Sequence, residues 1–179
     1  MSRAALGRLV LLATSTALAG CGYALANAPD ASLTPFTVRA TDATTPDAAA
    51  ITAAIEGAQR ELARAGLLSE RGEGTVLTIA VGRVDERSEG IAAGSGSAAS
   101  ATPRARGIRL TIVGRATAPA SARATARDSG EITVTEIFSS SGGAAIGVLG
   151  RDEAAQRAGR RLGERLVRRV LGEIDPGEP

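Results

Sequence analysis

The residues able to take part in chemistry are few. The 179-residue sequence contains no His, and Cys21 is its single cysteine, whereas all 21 basic residues are arginine and 19 residues are acidic. Histidine is the most frequent general base, and Cys and His supply most zinc ligands, so a thiol–imidazole pair and a common metal-ligand set are both missing. We therefore expect no enzymatic activity, no metal site and no cofactor.

Three short motifs lack the context that a catalytic or binding site needs. Asp85 and Glu86 are adjacent, so in a strand their carboxylates would point to opposite faces. The serine and glycine run at 139–143 is typical of a flexible turn. The Gly-x-Gly at 94–96 has no strand and helix around it, as a dinucleotide site requires. The sequence favours a protein that acts by contact.

Cys21 follows a segment with the features of a processing signal. Arg3 and Arg8 accompany an apolar stretch that ends at Leu18, and small residues then precede the cysteine. About ten apolar residues are too few to cross a ~30 Å hydrocarbon core as a helix. We predict that residues 1–20 form a signal peptide. The alternative is an ordinary secretory signal, in which Cys21 has no special role.

The four residues Leu18-Ala-Gly-Cys21 resemble the bacterial lipobox at every position. The resemblance implies that the Cys21 thiol receives a diacylglycerol and that Cys21 becomes the first residue of the mature chain. Two or three acyl chains make a stable anchor, whereas one chain binds reversibly. By the sorting rule of proteobacterial lipoproteins, Gly22 in place of Asp implies the outer membrane. The sulfur would then be unavailable for a disulfide.

The charge of the predicted mature chain is balanced. Removal of the signal takes away Arg3 and Arg8, and the remaining arginines equal the 19 acidic residues in number. Two Phe, one Tyr and no Trp leave little surface on which bases could stack. Nucleic-acid binding proteins need a basic face and often aromatic rings, so we expect no nucleic-acid partner.

Periodicity in the rest of the chain predicts six elements. Residues 21–32 are small and polar and form a tether, and 33–40 form a short strand that Pro35 restricts to a start or an edge. Residues 45–65 have helical spacing, with Thr45 as cap and Pro46 in the first turn. Period-two alternation predicts strands at 75–84, 108–117 and 131–138, the last after a turn at 127–130. Helical spacing returns at 152–171, with Asp152 as cap.

These elements predict an α+β fold. The order β-α-β-β-β-α, with one apolar stripe on each helix, indicates a two-layer sandwich of a four-stranded mixed sheet with two helices on one face. The domain would cover residues 33–174, with a flexible loop at 88–107 and a tail at 175–179. The sheet face without helices would be half polar and open to a partner.

Arginines near the long loop are the candidate binding residues. Guanidinium groups bind phosphates bidentately, so the predicted anion contacts are Arg104, Arg106, Arg109 and Arg115. A loop without function is the competing interpretation. The six arginines between 157 and 169 on the closing helix are interpreted mainly as a solvated face, with contact to an anionic membrane as the alternative.

Four features of the chain point to a known family: the Leu-Ala-Gly-Cys-Gly-Tyr start at 18–23, a Pro-Phe strand, a helix ending Arg-Glu-Leu-Ala-Arg-Ala-Gly-Leu-Leu and an arginine-rich closing helix. Together they resemble the LPS-assembly lipoprotein family LptE. The likeness extends over most of residues 18–172. The chain departs from the family at 24–27, where a basic residue often follows the aromatic one, and in its Gly/Ser loop.

The resemblance implies an outer-membrane lipoprotein that plugs and supports an LptD-like barrel and can bind lipopolysaccharide. Membrane contact would come through acyl chains on Cys21. A different class remains open from the residues alone, namely a periplasmic binding or activator lipoprotein, such as an auxiliary subunit of an ABC lipid transporter or a modulator of peptidoglycan synthesis.

Overall fold

The computed structural model describes residues 34–41, 47–69, 71–90, 106–120, 125–139 and 144–173. Six elements follow one another in the predicted order β-α-β-β-β-α. They are β1 (Phe36–Ala40), α1 (Ala48–Arg64), β2 (Thr75–Gly90), β3 (Arg106–Ala118), β4 (Arg127–Ser139) and α2 (Ala144–Leu171).

The four strands form one mixed sheet in the order β1-β2-β3-β4. β1 is parallel to β2, and the other neighbouring pairs are antiparallel. The side chains that alternate toward the helices on β2 and β3 are buried, among them Leu77, Ile79, Leu110 and Ile112. The predicted α+β fold is confirmed, with both helices packed over one face and a single apolar core between the layers.

The two helices pack closely because glycine and alanine line their contact. A Cβ atom added to Gly159 would lie 2.5 Å from the carbonyl oxygen of Ala50, and one added to Gly163 would lie 2.0 Å from that of Ala54. On α1, a Cβ at Gly57 would lie 2.2 Å from the oxygen of Arg160. Gly159 and Gly163 are four residues apart and so share one side of α2, which faces α1.

Both helices begin elsewhere than predicted. The N-cap of α1 is Asp47, whose carboxylate accepts a hydrogen bond from the Ala50 N–H at 3.0 Å, and the predicted cap Thr45 lies outside the described residues. α2 begins at Ala144, so the prediction that Asp152 caps it was wrong. Gly150 lies inside α2 beside Phe138, whose ring is 3.5 Å from the position of a Cβ.

Strands β2, β3 and β4 are longer than periodicity indicated, whereas β1 covers only Phe36–Ala40 of the predicted 33–40. β2 continues to Gly90 and β3 begins at Arg106, so both ends of the predicted 88–107 loop belong to the hairpin, and 91–105 lie outside the described residues. The predicted turn at 127–130 is wrong, because these residues pair with β3 across an irregularity in register. There Ser129 Oγ accepts the Ala116 N–H at 2.8 Å, and Gly130 adopts a φ of 68°.

Candidate anion-facing surface and lipid anchor

The structure describes two of the five predicted site residues in full. Cys21 and Arg104 lie outside the described residues, as do the signal, the whole tether and the tail. Arg106 is described only as the first backbone position of β3. Arg109 and Arg115 are exposed on β3. Because Leu110 and Ile112 point to the core, these odd-numbered arginines lie on the sheet face away from the helices, as predicted.

Arg109 lies in a row with a second arginine and an exposed apolar side chain. The strand register places Arg87 of β2 and Ile137 of β4 directly opposite Arg109 on its two sides. Opposed residues of antiparallel strands have Cβ atoms about 5 Å apart and share a face. Ile137 is 58% exposed. We call the row Arg87, Arg109 and Ile137 the distal row.

The two arginines of the distal row differ in their contacts. Arg109 forms an ion pair with Glu89, on the next open-face position of β2. The Arg87 side chain has no ion pair or hydrogen bond within the part of the chain that the structure describes. Like charges directly opposite each other destabilise a sheet, and the Glu89 carboxylate partly offsets this repulsion. An added anion would offset it further.

Arg115 is paired with a carboxylate on the neighbouring strand. Its Nε donates to Asp128 Oδ1 at 2.7 Å, and a second guanidinium nitrogen contacts Oδ2. The Arg115 hydrogen bond and one from the Gly130 N–H lower the pKa of Asp128 to about 2, and the same pairing raises the pKa of Arg115. Two nitrogens of the Arg115 guanidinium, which could otherwise bind an anion side by side, are therefore already bonded to Asp128.

Arg109 and Arg115 are too far apart to bind one small anion together. Six residues separate them along a single strand, which corresponds to roughly 20 Å at the rise of an antiparallel strand. Each arginine also has its own carboxylate, Glu89 or Asp128. Arg109 and Arg115 thus belong to two separate candidate sites. Of these, the distal row around Arg109 is the one that contains a second arginine.

Arginines of the closing helix contact acidic side chains of other elements. Arg157 and Arg161 both reach Glu136 of β4, and Arg168 Nε donates to Glu61 of α1 at 2.9 Å. Glu61 is buried at the contact between the helices. These pairs attach α2 to the sheet on one side and to α1 on the other, a function that the solvated-face interpretation did not foresee.

Arg151 connects three elements and was not among the candidates. Its guanidinium donates to Asp47, the cap of α1, at 2.8 Å and to Glu86 of β2 at 2.5 Å. Partial burial lowers the pKa of Arg151, but the bonds to Glu86 and Asp47 outweigh it and raise the pKa overall. Glu86 thus points to the helix side while Asp85 pairs with Arg83 at 2.7 Å, so the two acids diverge as predicted.

The described ranges lack two features, a helix that could span a membrane and a cluster that could hold a metal ion. Within them, no helix combines the length and the apolar character needed to cross a bilayer. The same residues contain no cluster of three acidic, His or Cys side chains able to hold a metal ion. An open groove of about 370 Å³ lies between the helices and is lined by alanines with Thr52, Glu56 and Gln156.

Comparison with known proteins gives likenesses to solved structures but no family. No protein-family model matches the chain, and no curated protein matches it. Among solved structures, the chain is similar to the crystal structure of "a putative lipoprotein from Caulobacter crescentus CB15", with 14% identity and a TM-score of 0.39, over 78% of this chain and 93% of that chain. An identity and a TM-score this low leave the function to be inferred from the chain's own residues.

Proposed function

We propose that this chain is a lipid-anchored subunit of lipopolysaccharide transport at the outer membrane, which acts by contact and not by catalysis. The observation that carries the proposal is the lipobox-like Leu18-Ala-Gly-Cys21 behind a short apolar segment. Acyl chains on Cys21 would hold the domain at the inner surface of the outer membrane, and Gly22 would allow it to be sorted there.

The domain that follows suits a partner that binds by its surface. The helices cover one face of the sheet, and the opposite face is bordered by solvent-exposed residues of β3 and β4 such as Thr117, Thr133 and Thr135. A rigid sheet with one free, mixed-polarity face fits a protein that fills or supports an LptD-like barrel. That barrel is the partner we propose.

Lipopolysaccharide is the proposed ligand of the open face. Its phosphates need cationic donors, and the distal row offers Arg87 and Arg109 beside the exposed side chain of Ile137. Arg106, the first residue of β3, and Arg104, two positions before it in the sequence, remain candidates. Arg115 is the weakest of the four, since Asp128 already occupies its guanidinium.

Co-purification from the native host tests the proposal. Tagged full-length protein in mild detergent should bring down a barrel-sized outer-membrane protein, and depletion should trap lipopolysaccharide inside the envelope. Capture of an ABC transporter or a peptidoglycan synthase instead would favour the auxiliary-lipoprotein class. A Cys21 thiol that remains unmodified behind an uncleaved leader would remove the anchor on which the proposal rests.

The arginine assignment has its own test. Arg109→Ala should weaken binding of purified lipopolysaccharide to the full-length protein several-fold, because one cation of the distal row is lost. Arg115→Ala is the matched control on the same strand and should change the affinity little. Equal effects of the two variants would contradict the choice of the distal row.

A further inference from the structure

The two arginines of the distal row share one carboxylate. Arg87 and Arg109 lie directly opposite each other on β2 and β3. Glu89 pairs with Arg109, whereas the Arg87 side chain has no ion pair or hydrogen bond to any residue that the structure describes. Two positive charges and one negative charge leave these three side chains with a net charge of +1.

Two other arginines of this sheet face have a carboxylate each. Arg83 Nε lies 2.7 Å from Asp85 Oδ2, and Arg115 is bonded to Asp128. Asp85 is the acidic residue that precedes Arg87 on the same side of β2, and it is already paired with Arg83. The excess charge is therefore specific to the distal row.

Glu89 reaches Arg109 on the diagonal. The residue directly opposite Glu89 on β3 is Gly107, which offers no side chain, and Glu89 contacts Arg109 instead. Diagonal positions of neighbouring strands are about 7–8 Å apart, a distance that long side chains bridge. The Arg109 side chain is 47% exposed and the Glu89 side chain 37%. Exposed ion pairs are weak, so an anion from solution can take the place of the Glu89 carboxylate.

An anion that bonds both arginines would relieve the repulsion between them. Opposed residues have Cβ atoms about 5 Å apart, so the two guanidinium groups can bond different oxygens of one phosphate. A phosphate monoester has about 1.5 to 2 negative charges at neutral pH and three free oxygens. A carboxylate has a single charge and only two oxygens, so it gains little by replacing Glu89.

We propose that the distal row binds phosphate monoesters and that Glu89, by competing for Arg109, keeps this binding weak and reversible. In the free protein Glu89 occupies Arg109. A phosphate monoester displaces the carboxylate and bonds Arg87 and Arg109 together, and Glu89 returns when the phosphate leaves. The inference rests on the proposed function, because it names the chemical group of the ligand that the open face holds and explains how the ligand is released.

Ile137 marks where the rest of the ligand would lie. It is opposite Arg109 on β4 and is 58% exposed, so it provides apolar surface beside the phosphate. A phosphate monoester can belong to a lipid or to a small soluble molecule, and the two arginines bind the same group in both. Only a ligand with an apolar part would also contact Ile137.

Titration of the full-length protein with soluble anions tests the proposal. Methyl phosphate should shift the Nε–H NMR signals of both Arg87 and Arg109. At equal ionic strength it should bind more tightly than dimethyl phosphate or acetate, because each of these has a single charge. A shift confined to one arginine, or equal binding of the three anions, would overturn the proposal.

Variants separate local competition from overall charge. Glu89→Gln should bind methyl phosphate about two- to fivefold more tightly, the range expected when an exposed competing ion pair is lost. Glu131→Gln is the matched control, since it removes the same charge from an exposed position of β4 roughly 20 Å along the strand from Ile137, and it should change the affinity little. Arg87→Gln should remove the preference for methyl over dimethyl phosphate. No gain in Glu89→Gln, or an equal gain in Glu131→Gln, would refute the competition.

The source of the phosphate is tested with vesicles of phosphatidylcholine that contain either phosphatidate, a monoester, or phosphatidylglycerol, a diester. Tighter binding to phosphatidate that Ile137→Ser weakens, while methyl phosphate binding stays unchanged, would identify a lipid-borne monoester. Binding to phosphatidate that Ile137→Ser leaves unchanged would identify a soluble one. Equal binding to both vesicles would contradict the proposal.

The results distinguish this inference from the proposed function. Protein that binds methyl phosphate through both arginines but binds no lipopolysaccharide would refute the proposed ligand and leave the monoester site in place. Lipopolysaccharide binding that is equal in wild-type protein and Glu89→Gln would refute the competition by Glu89 and leave the proposed function in place.

Discussion

At the residue scale, the arginines of this protein connect elements that are distant along the chain. Arg151 reaches the cap of α1 and a strand, Arg168 reaches Glu61, and Arg115 reaches Asp128 on the neighbouring strand. Guanidinium groups suit this use because several donors lie in one plane and can bind two carboxylates at once. An arginine in this chain is therefore a candidate for anion binding only where such a partner is missing or leaves donors free.

The exposed pair of Arg115 and Asp128 predicts a titration that can be measured directly. Arg115→Gln should raise the pKa of Asp128 from about 2 toward its ordinary value of 3.8, because the largest stabilising contact of the carboxylate is lost. Carboxyl-carbon NMR during an acid titration would follow it. Arg109→Gln, roughly 20 Å away along the strand, should leave Asp128 unchanged. An Asp128 pKa that stays near 2 in Arg115→Gln would contradict the pairing.

The same pair also sets the direction of a pH effect. A carboxylate whose pKa is lower in the folded state stabilises the fold above its unfolded pKa and loses that contribution as the pH falls through the folded value. The contribution of Asp128 should therefore be complete above about pH 4 and disappear toward about pH 2. Because the pair is exposed, added salt should reduce the effect.

At the element scale, the contact between the helices depends on the missing side chains of glycine. Gly163→Ala should destabilise the protein by about 1–3 kcal/mol, because its Cβ would meet the Ala54 carbonyl oxygen and the helices must move apart. Gly147→Ala in the same helix meets nothing within 4 Å and should be neutral or stabilising. Urea denaturation compares the two. Equal stability of both variants would show that the helices do not pack this closely.

The start of α1 gives a second prediction at this scale. Asp47→Ala removes both the cap of the helix and the contact with Arg151, and should cost about 1–2 kcal/mol of unfolding free energy. Asp47→Asn can still accept from the Ala50 N–H but loses the charge, so its cost should be smaller. Thermal unfolding by circular dichroism would rank the three proteins. An Asn variant as unstable as the Ala variant would assign the whole effect to the ion pair.

At the scale of the whole molecule, the proposed lipid anchor on Cys21 would decide where the domain is held. Cys21→Ala should abolish incorporation of labelled palmitate and release the protein from the membrane fraction of its native host, since no acyl chain can be attached. Cys21→Ser is the smaller change and should have the same result. Membrane association that survives both changes would show that another part of the protein holds it there.

Much of the fold was predictable because local spacing sets which face of an element is apolar. Period two on β2 and β3 placed Leu77, Ile79, Leu110 and Ile112 in the core, and all four are buried. The start of α2 was not predictable in this way, because glycines at 147 and 150 weaken the helical signal although both lie inside the helix. The strand structure of 127–130 was not predictable either. It involves Ser129, whose Oγ accepts a hydrogen bond from the Ala116 N–H on the neighbouring strand.

By itself, the sequence determined the order of the elements, their buried faces and the absence of histidine, since these depend on residues close together in the chain or on composition alone. The tertiary structure decided which arginines already have a carboxylate partner, how closely the helices approach and which strand edge stays open. Arg151 and Asp47 are 104 residues apart, and no local pattern relates residues at such a separation. Their contact exists only once the sheet and both helices have been brought together.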